Sequence, residues 1–168
     1  PSLKLRHAGR EELPHPISAE QSVLRTSLIP QMVESLGRNK SRQINDAVFF
    51  EIGRTFTKGG VQTEKVCLGL MGTAGRGALD TQRAIGEEEV FLWLKGLVEN
   101  LLAAQKVSKV KFQTLPALSE AEGEKHGAFE EGRALKVLSG KTELGVIGLI
   151  NSKVRKEWRL NDPVAAAE

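Results

Sequence analysis

Hydrophobic positions along the chain switch between two periods. From Ser27 onward, Leu28, Met32 and Leu36 recur every four residues, with Ile29 and Val33 beside them. That stripe is one face of a helix. Ser27 stands where an N-cap belongs, and Pro30 falls in the first turn, where a missing N–H costs little. Arg38, Lys40 and Arg42 close the segment, which suits the negative end of a helix dipole. Residues 47–57 alternate instead: Val48, Phe50, Ile52 and Phe56 share one face, and Phe49, Glu51, Gly53 and Thr55 share the other. A period of two predicts a strand. Lys58-Gly59-Gly60 turns the chain into a second strand over 64–72, apolar on both faces.

A long helix is expected over 87–104. Glu87, Glu88 and Glu89 favour its N-terminus, and Phe91, Leu94, Val98, Leu101 and Leu102 follow the 3.6 period as core positions. Trp93, Leu97 and Asn100 recur on a second face. Short strands are expected near 109–115, 133–139 and 143–150, a short helix over Ser152–Leu160 and a strand over Val164–Glu168. Residues 1–22, with Pro14 and Pro16, read as extended chain and loop, and Ser119–Lys125 as a further loop. Strands in hairpin-like succession with two major helices predict an α+β domain, with a largely antiparallel sheet and the helices packed on one face.

Composition narrows the function classes. The 168 residues suffice for one domain with a sizeable core, and 40% hydrophobic and 27% charged residues are ordinary for a globular chain. A net charge of +3, from 24 basic and 21 acidic residues, is too small to argue for nucleic-acid binding by itself. The only cysteine, Cys67, lies in the apolar run Val66-Cys67-Leu68, so a disulfide framework and a cysteine zinc site are excluded. No apolar stretch reaches the roughly 18 residues of a membrane span. A reduced, cytoplasmic setting is expected. The chain begins without Met and stops at Glu168 after an apolar run, and reads as a piece of something longer.

Motifs that would carry chemistry are weak. Gly72-Thr73-Ala74-Gly75-Arg76-Gly77 follows a strand but lacks both dinucleotide and Gly-Lys-Ser/Thr spacing, and no helix follows to aim N–H groups at a phosphate. His7, His15 and His126 are scattered and complete no metal set. Glu51 with Arg54 reads as a structural ion pair within the strand. The residues alone describe an α+β domain with no visible active site.

Four blocks in order carry a resemblance. Pro16–Pro30, including Leu24-Arg25-Thr26-Ser27-Leu28, is similar to the stretch that opens the catalytic-like domain of the phenylalanyl-tRNA synthetase β subunit. Val48-Phe49-Phe50-Glu51-Ile52-Gly53-Arg54-Thr55-Phe56 resembles that family's following strand. Val90–Leu102, with Trp93-Leu94-Lys95-Gly96, resembles its apolar helix. Phe129-Glu130-Glu131-Gly132-Arg133-Ala134 and Gly145-Val146-Ile147-Gly148 resemble its closing strands. The family's Asn-Pro, Pro-Gly-Arg and His-Pro are here His15-Pro16, Glu131-Gly132-Arg133 and Asn151-Ser152.

The resemblance implies a class II aminoacyl-tRNA synthetase-like antiparallel sheet flanked by helices. It also implies a module without chemistry of its own, in an enzyme of two α and two β subunits that joins phenylalanine to its tRNA. ATP and magnesium would be used by the parent enzyme and no cofactor by this chain. Class II catalysis needs arginines near the ATP phosphates; where catalytic relatives carry one after the second block, this chain has Thr57, and their glycine-rich strand leading into an arginine-bearing helix would fall at or beyond Glu168, with an approach that Val164–Glu168 does not resemble. Partners would be the α subunit and the remaining β-subunit domains, with tRNA reached only through the complex. Leu24, Arg25, Leu28, Pro30, Glu51, Gly53, Arg54, Trp93, Lys95, Gly96, Gly132 and Arg133 are the expected assembly and structural residues. Two other readings remain open: a basic RNA-contacting domain using Arg38, Lys40, Arg42 and Arg54, and a free-standing ligase with residual ATP or amino-acid binding.

Overall fold

The computed structural model describes residues 14–15, 22–56, 61–71, 86–115 and 127–168. The predicted loops at 72–77 and Ser119–Lys125, most of the N-terminal stretch, and Thr57, His7 and His126 lie outside the described residues. Helix α1 spans Ile29–Ser41, strand β1 Ala47–Phe56 and β2 Gln62–Met71, followed by helix α2 at Glu87–Ala104. Strands β3 (Val110–Thr114), β4 (Phe129–Ser139) and β5 (Thr142–Ile150), the short helix α3 (Ser152–Glu157) and strand β6 (Val164–Ala167) complete the order.

The six strands form one sheet in the order β1-β2-β6-β5-β4-β3, each neighbouring pair antiparallel. The last strand therefore sits in the middle, and joins the β1–β2 hairpin to the β3–β4–β5 meander. Its sequence suits that place. Val164, Ala165, Ala166 and Ala167 are all buried. Val164 and Ala166 pack with α1 residues such as Leu28, Met32 and Leu36, while Ala165 and Ala167 pack with Val90, Leu94 and Val98 of α2. Alternate residues of one strand thus face different helices.

That alternation corrects one expectation. The two long helices cover opposite faces of the sheet, a front face under α1 and a rear face under α2. A strand apolar at every position is what two covered faces require. β5 shows the same logic, with Val146 and Ile150 in the front core and Ile147 and Leu149 in the rear core.

The start of α1 is a second correction. Leu28, one residue later than expected, holds the N-cap position. Ser27 Oγ still accepts from the Ile29 N–H at 3.2 Å, but the main acceptor is distant in sequence. The Glu168 carboxylate takes the Leu28 N–H at 2.6 Å and the Ser27 hydroxyl at 3.0 Å. A carboxylate at a helix N-terminus satisfies an orphan donor and matches the dipole. α2 corrects a third. Leu94 and Val98 are buried, and Phe91 and Leu102 pack on the rear core, but Leu101 is 41% exposed and Val90 holds the remaining inward position.

Candidate functional site

On the front face, the residues nearest to chemistry are occupied with one another. Arg25 Nη1 meets Glu51 Oε1 at 2.7 Å, Arg25 Nε donates to the Arg54 carbonyl at 2.9 Å, and Gln31 accepts a further hydrogen bond from Arg25. Glu51 therefore pairs with Arg25 and not with Arg54. Positions 51 and 54 are an odd number apart on a strand and point to opposite faces. Gly53 leaves the space that the Arg25 guanidinium and Leu28 fill. Leu28 is fully buried, and Leu24 and Pro30 are half-buried beside it.

A second set lies along β2. Lys65 Nζ stands 3.4 Å from the Glu168 carboxylate that caps α1. Cys67 is fully buried under α1. Burial pushes its thiol far above the ordinary thiol range, and the carboxylates of Glu168 and Glu51 push the same way against an opposing Lys65. Such a thiol is neither nucleophile nor metal ligand. At Gly69 a Cβ would lie 2.6 Å from Met32 Cγ, so the helix side chain rests directly on the strand backbone. The front face between β1 and β6 is filled by the chain's own side chains. Among the described residues no group of three or more His, Cys, Asp or Glu side chains could hold a metal ion.

The rear face differs. α2 lies over β6, β2 and β5 and stops short of β1. Phe50 is 73% exposed and Ile52 62%, with Val48 and, on β2, Val66 exposed beside them. Ile52 pairs with Val66, and Phe50 pairs with Leu68, which α2 partly covers. The more apolar face of β1 is thus turned to solvent, while the face carrying Glu51, Gly53 and Thr55 is turned to α1. The result is an apolar shelf two strands wide, about 10 Å, along the flank of α2. Arg54 lies on the same side, opposite Glu64 in the register.

The outer side of α2 adds a shallow groove of about 720 Å³ lined by Leu92, Trp93, Gly96, Leu97 and Asn100, with Glu88 and Glu89 at one end. Trp93 is 37% exposed, and a Cβ at Gly96 would meet nothing within 4 Å. Lys95 pairs with Glu99 and sits 4.5 Å over the Phe112 ring, tying α2 to β3. Arg133 pairs with Glu87, which also holds Arg155 Nη2 at 3.0 Å, so the start of α2 is fastened to β4 and α3. Gly132 has φ +72, in the irregular stretch of β4 between Phe129 and Ala134. The cations at the end of α1 are largely spent within the chain: Arg38 pairs with Glu34, and Lys40 reaches Asn45 and Asp162.

Sequence reasoning found both helices and the alternation of β1. It missed the Glu168 cap, the Gly69 contact and the shelf. The first two depend on distant segments meeting. The shelf was visible as an apolar face, but its exposure depends on where α2 ends up.

This architecture is that of the class II tRNA synthetases. Two structures of pyrrolysyl-tRNA synthetase from Desulfitobacterium hafniense superpose with TM-scores of 0.61 and 0.62 at 16% identity, covering 91% and 95% of this chain and 49% of theirs. Within that class the sequence is more specific. Residues 5–168 match the phenylalanyl tRNA synthetase beta chain CLM domain, and the chain belongs to this family. The phenylalanine–tRNA ligase β subunit of Bacillus licheniformis is 32% identical over 149 residues, 88% of this chain and 18% of that protein. Those of Moorella thermoacetica and Pyrococcus abyssi are 30% and 28% identical, over 85% and 94% of this chain. The chain spans 17–18% of the length of the bacterial relatives and 25% of the Pyrococcus protein.

Proposed function

We propose that this module is a non-catalytic assembly piece of a phenylalanine–tRNA ligase β subunit, packing against the companion α subunit in an (αβ)2 enzyme. The observation that carries the reading is the uncovered apolar shelf of Val48, Phe50, Ile52 and Val66. Contiguous exposed apolar residues on a folded chain mark an interaction surface. The shelf is about 10 Å wide, room for one helix at the roughly 8–10 Å separation usual for packed helices. It therefore suits an amphipathic helix of the α subunit.

The filled front face supports the same reading from the other side. Side chains of α1 occupy the space that an open sheet face would offer a substrate, and the arginine and carboxylates there are committed to each other. ATP, magnesium and phenylalanine would then be handled by the α subunit, in the cytoplasm, and tRNA would be met through the assembled complex. Among the described residues no helix is long and apolar enough to cross a membrane.

The test is Phe50→Ser in the full β chain, mixed with α subunit and resolved by size-exclusion chromatography. Loss of a central aromatic anchor costs about 2 kcal/mol or more, roughly a thirty-fold weaker association. The unfolding temperature of the β chain should stay near that of the parent, because Phe50 contributes little to its own core. Assembly at parental concentrations would overturn the reading.

A further inference from the structure

Four lysines lie toward the β3 end of the sheet, the edge opposite the shelf on β1. Lys106, Lys109, Lys111 and Lys141 are all exposed. The β4–β5 turn through Gly140-Lys141 is tied to the start of β3: the Gly140 N–H donates to the Lys109 carbonyl at 3.2 Å. Ser139 Oγ, beside the turn, holds the Ser108 carbonyl at 2.8 Å. None of the four lysines is ion-paired to a carboxylate among the described residues. The neighbouring Lys136 differs, being joined to Glu143 at 3.5 Å.

Lysine is common on exposed edge strands, where it discourages edge-to-edge pairing. That role accounts for Lys111 on β3. It does not account for Lys141 in the turn, or for Lys106 and Lys109 on the approach to β3. The backbone here is left-handed, as it is at Gln43 and Arg159 after α1 and α3. Lys106 and Lys109 have φ of 58° and 56°. Lys106 follows the C-cap Gln105, donating to the Ala103 carbonyl while the Val107 N–H reaches back to Leu102. This is a Schellman ending with lysine where glycine is usual. Glycine at either position would relieve the left-handed backbone. The chain carries positive charge there at a conformational cost.

We propose that this tip contacts the phosphodiester backbone of a base-paired RNA segment. Lysines supply point charges to phosphates without the two-pronged geometry that reads bases. No aromatic ring is presented with them. Phe112, the nearest, packs on the rear core under Lys95. Single-stranded RNA is held largely by stacking on such rings, whereas paired RNA is held by its shape and phosphates. Lys111 stands on β3 and Lys109 in the left-handed bend just before it, with Lys141 across the turn.

The experiment uses the assembled ligase and deacylated tRNA, with affinity measured over a series of salt concentrations. Lys106→Gly with Lys109→Gly should make the slope of log affinity against log salt shallower by about 2, with an affinity loss of roughly tenfold or more at low salt. The unfolding temperature should not fall, since both positions favour glycine. Should that pair destabilise the chain, Lys111→Gln with Lys141→Gln carries the same binding expectation. Lys153→Gln with Lys156→Gln, exposed on α3, removes equal charge elsewhere and should leave the slope unchanged. An unaltered slope in the tip variants, or an equal change in the α3 control, overturns the proposal. So does loss of binding to phosphatidylserine vesicles with tRNA affinity intact, which would assign the tip to a lipid surface.

Discussion

Cys67 shows how far a residue's neighbours decide its chemistry. A thiol buried beneath α1, with two carboxylates nearby, holds its proton. It should react with iodoacetamide only as fast as the chain unfolds, and urea should accelerate the labelling; prompt labelling of the native protein would show that α1 does not cover β2. The linkage sign follows. The folded state disfavours the thiolate, so stability is unaffected below the ordinary thiol range and declines above about pH 8.5, where only the unfolded thiol ionises. The bland character of this cysteine was legible from its apolar neighbours. The identity of the groups around it was not, because Glu51 comes from β1 and Glu168 from the residue after β6. Arg54 is the converse: three residues from Glu51 in sequence, it was expected to pair with it, and strand alternation separates them.

At the scale of elements, helix register is tested by two leucines. Leu36 is fully buried in α1 and Leu101 is 41% exposed in α2. Leu36→Ala should cost about 2–5 kcal/mol in urea unfolding, whereas Leu101→Ala should stay within about 0.5 kcal/mol. Equal losses would mean that the outer side of α2 is not free. Periodicity read the extent of α2 correctly because its apolar spacing and acidic first turn are local signals. It misplaced Leu101 because Val90, Leu94 and Val98 already define the stripe, and Leu102 takes the inward position in the last turn. Which face of β1 is buried was likewise beyond local reading. The apolar side would be the natural choice for a core, yet α1 packs on the side with Glu51 and Gly53. The single-face helix arrangement failed for the same reason: a four-residue strand of Val and Ala shows that it is buried, but not that separate helices bury its two sides.

For the whole molecule, two apolar areas exposed among the described residues, the shelf and the outer side of α2, are the surfaces on which the proposed assembly would rest. Trp93 borders the second, beside a glycine with open space. Trp93→Ala in the full β chain should weaken association with the α subunit while moving its unfolding temperature little. A large drop in that temperature with normal association of the surviving folded protein would place Trp93 in the chain's own support instead. The central position of β6 has a consequence in time. Until Val164–Ala167 have been synthesised, β2 and β5 have no strand between them, and the hairpin and the meander are separate pieces with bare inner edges. The sheet therefore closes only at the end of the segment's emergence from the ribosome, through pairings about a hundred residues apart, such as Leu68 with Ala167. Pairing over such a separation is slow, and in that interval the unfilled slot is where a stray strand would do the most harm.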